Sequence, residues 1–197
     1  MQHIAIFASG TGTNAARIID HFRHHDSIRV SLIVCNKPGA GVLDVAKREH
    51  IPSLMIEKTP FFQGTAYVDE LRAKKIGFIV LAGFLWKIPA ALIRAYPGRI
   101  INIHPALLPK YGGKGMYGRF VHEAVIRSAD KESGITIHFV DEQYDHGQPI
   151  FQAKVVVEPD DTPDTLAKKI HLLEYEHFPR VIGEVIDSAE ADLQNHR

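Results

Sequence analysis

The order of apolar runs along the first hundred residues constrains the fold of this chain most strongly. Short runs rich in β-branched residues alternate there with stretches that carry apolar residues at helical spacing. Because this alternation is typical of βαβ units, it predicts an α/β fold with one doubly wound, mostly parallel sheet and helices on both faces. The predicted strands are residues 3–8, 29–35, 53–56, 76–82 and 99–104, and the predicted helices are residues 14–24, 41–49, 66–75 and 89–96.

The second half of the chain departs from this alternation and is expected to add antiparallel strands. Residues 105–118 are rich in Pro, Gly, Lys and Tyr, and an irregular loop of that length is usually functional in a compact domain. A helix over 119–128, strands over 135–140 and 149–157, and a C-terminal helix from about residue 162 complete the prediction. Since no repeat, low-complexity tract or linker interrupts the pattern, we expect one domain over residues 1–197.

Composition excludes several classes of protein. The 23 basic side chains match the 23 acidic ones, so a broadly basic surface for nucleic acid is not expected. No apolar run approaches the roughly 18 residues of a membrane span, and the N-terminus lacks the pattern of a signal peptide. The single cysteine, Cys35, has no partner for a disulfide within the chain. These features favour a reducing cytoplasm.

A glycine-rich segment lies between the first predicted strand and helix, and it reads Ser9-Gly10-Thr11-Gly12-Thr13-Asn14. Glycines let the backbone turn tightly so that its N–H groups meet an anion, and a helix N-terminus favours phosphate. Gly10-x-Gly12-x-x-Ala15 also fits a dinucleotide fingerprint. That fingerprint needs an acidic residue about 20 residues later, and the second strand ends instead at Cys35-Asn36-Lys37. A nicotinamide cofactor is therefore disfavoured, whereas a plain glycine-rich turn stays open.

Asn102 and His104 lie at the end of a predicted sheet strand, where open α/β folds place their ligands. Residues separated by one position on a strand point to the same face, so an amide and an imidazole can converge on one reacting oxygen. Such a pair suits an oxyanion. A buried structural histidine is the alternative, and the unusual glycine-rich loop over 107–113 favours the functional interpretation.

The polar turn over residues 141–149 contains Asp141, Glu142 and Asp145. A solvated turn is the ordinary explanation for such a cluster. Alternatively, Asp145 could pair with His104 and favour the protonated imidazole.

The remaining histidines receive structural interpretations. His21 and His25 stand one helical turn apart, but the sequence marks no third ligand, so no metal site is expected. His138 lies within a predicted strand and is expected to be a packed or supporting group rather than a catalytic one.

The segment Asn102-Ile-His-Pro-Ala-Leu-Leu-Pro109, together with residues 9–14 and Asp145, resembles the phosphoribosylglycinamide formyltransferases, and the resemblance covers essentially the whole chain. It implies a Rossmann-like formyltransferase fold. It also implies transfer of a formyl group from 10-formyltetrahydrofolate to the amine of glycinamide ribonucleotide in de novo purine biosynthesis. The transfer passes through a tetrahedral intermediate and forms no covalent bond to the enzyme. Related tRNA-modifying and hydrolytic formyl enzymes carry further domains that 197 residues do not accommodate.

The resemblance also implies roles for individual residues. Asn102 and His104 donate to the oxyanion, while Asp145 keeps the imidazole charged and helps to move a proton. Phosphate binds residues 10–14, and Glu174, with Glu176 as the alternative, holds the ribose hydroxyls. Contacts to the folate are implied for Leu85, Trp86, Lys87, Ile88, Val140, Asp141 and Asp145.

Two segments depart from the family pattern. Gln63-Gly64-Thr65 stands where members often carry a basic residue, and Lys114-Gly-Met-Tyr-Gly118 replaces a loop that often contains histidine. The expected partners are the two small-molecule substrates, without metal, nucleic acid or membrane, for a monomer or a homodimer. Hydrolysis of formyltetrahydrofolate and a non-catalytic nucleotide- or folate-binding module are the alternatives. Hydrolysis does not require the phosphate loop, and a binding module does not require Asn102, His104 and Asp145 together.

Overall fold

One seven-stranded sheet organises the computed structural model, which describes residues 1–195. The strands are β1 (Gln2–Ala8), β2 (Ile28–Cys35), β3 (Ser53–Met55), β4 (Ile76–Leu81), β5 (Ile100–His104), β6 (Glu132–Phe139) and β7 (Pro149–Val156). Their order across the sheet is β3-β2-β1-β4-β5-β6-β7. The first five strands are parallel, and β6 runs antiparallel to both β5 and β7. The predicted fold class is confirmed.

The helices are α1 (Thr13–His21), α2 (Gly41–Arg48), α3 (Lys58–Gln63), α4 (Ala66–Ala73), α5 (Ala90–Ala95), α6 (Arg119–Arg127) and α7 (Pro163–Asn195). Sequence analysis missed α3, a six-residue helix that is too short to show helical periodicity. Its Pro60 also resembles a break, although a proline in the first turn of a helix removes no intrahelical hydrogen bond. The first helix ends at His21, before the predicted residue 24.

The sheet is buried on both faces. Alternate residues of β1 point to opposite sides, so that Ile4 and Ile6 join one core cluster whereas Ala5 and Phe7 join the other. Buried residues of α1, α2 and α7 belong to the first cluster, and buried residues of α4 and α5 belong to the second. Burial on both faces explains why β4 reads as a nearly continuous apolar run.

The strand order reverses between β1 and β4, because the chain leaves β1 toward β2 and leaves β4 toward β5 on the other side. Open α/β sheets bind their ligands outside the carboxyl ends of the strands at such a point. The two strand ends are tied together there, since the Ser9 N–H donates to the carbonyl oxygen of Gly83 at 3.0 Å.

The C-terminal helix α7 presents a buried stripe to the sheet. Leu166, Ile170, Phe178 and Ile182 lie on this stripe, and Glu174 occupies the position between the second and third of them. A carboxylate in the middle of an apolar stripe is unusual and points to a specific partner. Within residues 1–195, no helix, α7 included, combines the length and the apolar content that a membrane crossing requires.

Candidate active site

Three predicted residues converge at the end of β5. Asn102 and His104 lie on this strand, where they pair in register with His138 and Thr136 of β6. Asp145 lies in the turn between β6 and β7, and its Oδ1 is 3.5 Å from Nδ1 of His104. This distance is longer than a normal hydrogen bond. The structure thus joins groups that the sequence separates by about forty residues.

The loop after β5 holds His104 from its other side. The imidazole is only 3% exposed, and its Nε2 lies 2.7 Å from the carbonyl oxygen of Tyr111. Because a carbonyl oxygen can only accept, Nε2 carries a proton, and Nδ1 is the nitrogen that faces Asp145. A second proton on Nδ1 would therefore create an imidazolium between a carboxylate and a carbonyl. Sequence analysis missed this role of Tyr111, because every residue has a backbone carbonyl and the residue type does not show which one accepts a hydrogen bond.

A second histidine orients the amide of Asn102. His138 is 2% exposed, and its Nδ1 donates to the carbonyl oxygen of Phe139 at 2.7 Å. Its Nε2 is therefore the acceptor for Nδ2 of Asn102 at 2.9 Å. Burial lowers the pKa of His138, which keeps the ring in the neutral form that this acceptor role requires. One N–H of the Asn102 amide suffices for this bond, so the other can meet a substrate oxygen.

The glycine-rich loop and the polar turn fix Asp145. Its Oδ2 accepts a hydrogen bond from the N–H of Gly113 at 2.9 Å, and its backbone adopts a φ of +53°, which is uncommon outside glycine. The loop is anchored in turn by Thr136, whose hydroxyl donates to the carbonyl of Ala106 at 2.7 Å and accepts from the N–H of Leu108 at 2.9 Å. Strained conformations of this kind cluster at functional sites.

The glycine-rich segment after β1 forms the N-terminus of α1. Gly12 is the N-cap with a φ of +81°, and no side chain among the described residues caps this end of the helix. A Cβ on Gly12 would lie 2.7 Å from Cα of Val42, so only glycine fits this turn. The buried Ser9 supports the segment, because its hydroxyl donates to Oδ1 of Asn36 at 2.6 Å and accepts from the N–H of Leu85 at 3.0 Å.

Glu174 on α7 meets this segment. The carboxylate is 5% exposed, and its Oε2 accepts hydrogen bonds from Nδ2 of Asn14 at 2.9 Å and from Nδ1 of His171 at 3.0 Å. The bond to Glu174 raises the pKa of His171. Glu176 differs, since 72% of its side chain is exposed. Of the two acids considered from sequence, Glu174 is therefore the one that lies beside the glycine-rich segment.

Two further predicted segments follow β4 and β6, and one contact joins them. Leu85 is exposed at the start of the first segment, and Nζ of Lys87 lies 6.0 Å from the ring centroid of Tyr144 in the second. Trp86 is half-buried, and Val140 packs against the same core cluster. The side chain of Ile88 is only 4% exposed and belongs to the same core cluster, and contact of this residue with a folate stays a prediction.

Aromatic residues of α3 pack against Trp86 of the first segment. The ring centroids of Phe61 and Phe62 lie 5.7 Å and 5.6 Å from that of Trp86, and Phe62 stays partly exposed. Sequence analysis did not identify these residues. The adjacent pair of phenylalanines in a polar stretch was the signal that could have indicated them, since exposed aromatic side chains often mark binding surfaces.

Comparisons with known proteins identify a family for this chain. A family model described as "Formyl transferase" matches residues 2–182. The chain is 41% identical to the chloroplastic phosphoribosylglycinamide formyltransferase of Arabidopsis thaliana, covering 94% of this chain and 66% of that protein. It is 36% identical to the phosphoribosylglycinamide formyltransferase of Bacillus subtilis, covering 94% and 95%. A crystal structure of the Bacillus halodurans enzyme of the same name superposes with a TM-score of 0.85 at 36% identity, covering 95% and 97%.

Proposed function

This chain belongs to the formyl transferase family, and we propose that it transfers the formyl group of 10-formyltetrahydrofolate to the amine of glycinamide ribonucleotide in purine biosynthesis. The observation that carries the proposal is the presence of two half-sites at the carboxyl edge of the parallel strands. Asn102, His104 and Asp145 form the reactive half, and the pair of Asn14 and Glu174 forms the other half beside the N-terminus of α1.

The nucleotide binds along the N-terminus of α1. Phosphate meets the N–H groups of residues 10–14, where the positive end of the helix dipole favours an anion. Glu174 accepts hydrogen bonds from the ribose hydroxyls, and Asn14 holds its carboxylate in place. This arrangement selects a ribose phosphate, because the ligand must carry a phosphate group for the helix N-terminus and a neighbouring diol for Glu174.

The folate binds between residues 85–88 and 140–145. Exposed Leu85 and half-buried Trp86 offer apolar surface to a flat heteroaromatic ring, which is the type of lining that such ligands require. Lys87, Asp141 and the backbone of this turn offer polar groups to the ring, whereas Ile88 packs in the core. The bound folate supplies a carbon unit at the oxidation level of a formyl group.

The reactive half stabilises charge and moves one proton. The substrate amine attacks the formyl carbon, a new carbon–nitrogen bond forms, and the bond to N10 of the folate breaks. Negative charge develops on the formyl oxygen, toward which Asn102 directs an amide N–H. Protonated His104 directs its Nδ1–H toward the same oxygen, because its Nε2–H stays bonded to the carbonyl of Tyr111. Asp145 favours that charged imidazole and, through water, takes the proton of the amine and returns it to the leaving nitrogen.

Release of tetrahydrofolate with and without glycinamide ribonucleotide tests this function. Formyl transfer requires the nucleotide, so release should be negligible without it. Release at an equal rate in its absence would identify a hydrolase, and no release under either condition would identify a binding module. Asp145→Asn should lower the single-turnover rate by about 10² or more. Asp164→Asn, which makes the same change at an exposed carboxylate of α7 outside the proposed site, is the matched control and should retain the rate.

The proposal extends to the setting of the enzyme. The balanced charge and the single cysteine support a reducing cytoplasm in which the two small molecules are the partners. The chemistry described above uses acid–base and hydrogen-bonding groups of the chain and assigns no role to a metal. Action as a monomer or a homodimer, and a single domain over residues 1–197, stay predictions.

A further inference from the structure

A buried histidine on α6 has no role in the chemistry described above. His122 is only 3% exposed, and its Nδ1 is buried without a hydrogen-bond partner among the residues that the structure describes. Buried polar atoms are nearly always hydrogen-bonded, so each exception requires an explanation. We propose that Nδ1 of His122 binds the amide group in the glycinamide arm of the substrate, an inference that rests on the proposed function.

The position of His122 supports this assignment. Helix α6 packs against α7, and a charge on His122 would interact with His171 and Glu174 on α7 as well as with His104 on β5. The ribose lies beside Glu174, and the reacting amine lies beside His104. The arm that joins the ribose to the amine must therefore cross from Glu174 to His104, and the imidazole of His122 is within electrostatic range of both residues.

The chemistry of the ring also fits a neutral amide. Burial is the main cause that lowers the pKa of His122, so the imidazole is neutral at physiological pH. A neutral imidazole can accept from an amide N–H or donate to an amide carbonyl, according to its tautomer. An anion such as phosphate would instead favour a cationic partner. The unpaired nitrogen is thus suited to the uncharged part of the substrate.

A purely structural role accounts less well for this residue. The neighbouring buried positions of α6 are Val121, Ala124 and Val125, which are the small apolar residues that a helix packed on a core normally uses. An apolar residue at position 122 would complete that surface without burying an unpaired nitrogen. The histidine therefore costs stability in the free protein, as expected for a group whose partner is a ligand.

Calorimetric titration with two ligands tests the inference. Glycinamide ribonucleotide contains the amide, whereas ribose 5-phosphate retains the phosphate and the sugar without it. His122→Leu should weaken binding of glycinamide ribonucleotide about tenfold and leave the dissociation constant of ribose 5-phosphate unchanged. His122→Asn should retain most of the affinity, because its side-chain amide places a polar atom at the position of Nδ1.

Several outcomes would overturn the inference. An unchanged affinity of His122→Leu for glycinamide ribonucleotide would remove the contact, and an equal loss for both ligands would place His122 against the ribose phosphate or in folding. Failure of the wild-type protein to bind glycinamide ribonucleotide would instead contradict the proposed function. If His122→Leu does not fold, the wild-type protein still decides the matter by ¹⁵N NMR. The chemical shift of Nδ1 of His122 should change when glycinamide ribonucleotide is added and stay constant when ribose 5-phosphate is added. A chemical shift that changes with neither ligand would refute the contact.

Discussion

Replacing His138 by leucine tests whether this histidine acts only by orienting Asn102. In the structure, Nε2 of His138 is the acceptor for Nδ2 of Asn102 at 2.9 Å, and both side chains lie on adjacent strands. Leucine occupies a similar volume but provides no acceptor. The substitution therefore releases the Asn102 amide from its fixed orientation while it leaves the amide itself in place.

The structure sets the size of two separate effects. Loss of the acceptor leaves a donor of Asn102 and the carbonyl of Phe139 without their partner, which should lower the free energy of unfolding by about 1–3 kcal/mol. Complete loss of one oxyanion donor typically costs about 10²–10³ in turnover. Since the amide remains present but is no longer held, we expect His138→Leu to lower the single-turnover rate by about 10- to 100-fold.

A double-mutant cycle with Asn102→Ala provides the decisive assay. If His138 acts through Asn102, the double variant should react no more slowly than Asn102→Ala alone. The matched control is His3→Leu, which removes a histidine bonded to Ser31 at the other end of the sheet and should change only stability. If the rate loss of the double variant equals the product of the two single losses, the reasoning is refuted, because His138 then acts independently of Asn102.

Three further predictions follow from the same geometry. Gly10→Ala should preserve the free energy of unfolding in urea, because an added Cβ meets nothing within 4 Å. Gly12→Ala should lower this free energy by more than about 1 kcal/mol, because Gly12 has a positive φ and an added Cβ would collide with Val42 of α2. Equal stability of the two variants would contradict this prediction. Glu174→Gln should raise the KM for glycinamide ribonucleotide about tenfold, while the exposed match Glu176→Gln should leave it unchanged; equal effects would remove the ribose contact. Burial lowers the pKa of His138, so below the ordinary histidine pKa of about 6.5 the unfolded chain binds more protons than the folded chain. The free energy of unfolding of the wild-type protein should therefore carry no penalty from His138 above that pH, and it should fall as the pH drops toward the pKa of His138 in the folded protein. The loss between pH 7.5 and 5.5 should be smaller in His138→Leu, and an unchanged loss would exclude His138 as its source.

Local patterns determined the fold class. The alternation of strand-like and helix-like runs depends on which side chains along a short segment meet the core, so it can be read from consecutive residues. For the same reason the turn after β1 and the strand that carries Asn102 and His104 were predictable. The short helix α3 was not predictable, because six residues are too few to establish a helical period and Pro60 resembles a helix break.

Contacts between distant segments were decided by the tertiary structure alone. The turn that carries Asp145 had an ordinary explanation as solvated surface until the antiparallel register of β5 and β6 brought it beside His104. Likewise, the choice between Glu174 and Glu176 depends on which face of α7 packs toward α1, where Asn14 donates a hydrogen bond to the buried carboxylate of Glu174. Periodicity is a property of neighbours along the chain, whereas a site is a property of neighbours in space. Strand order, register and helix rotation decide which residues become neighbours in space, and all three arise from packing over the whole core.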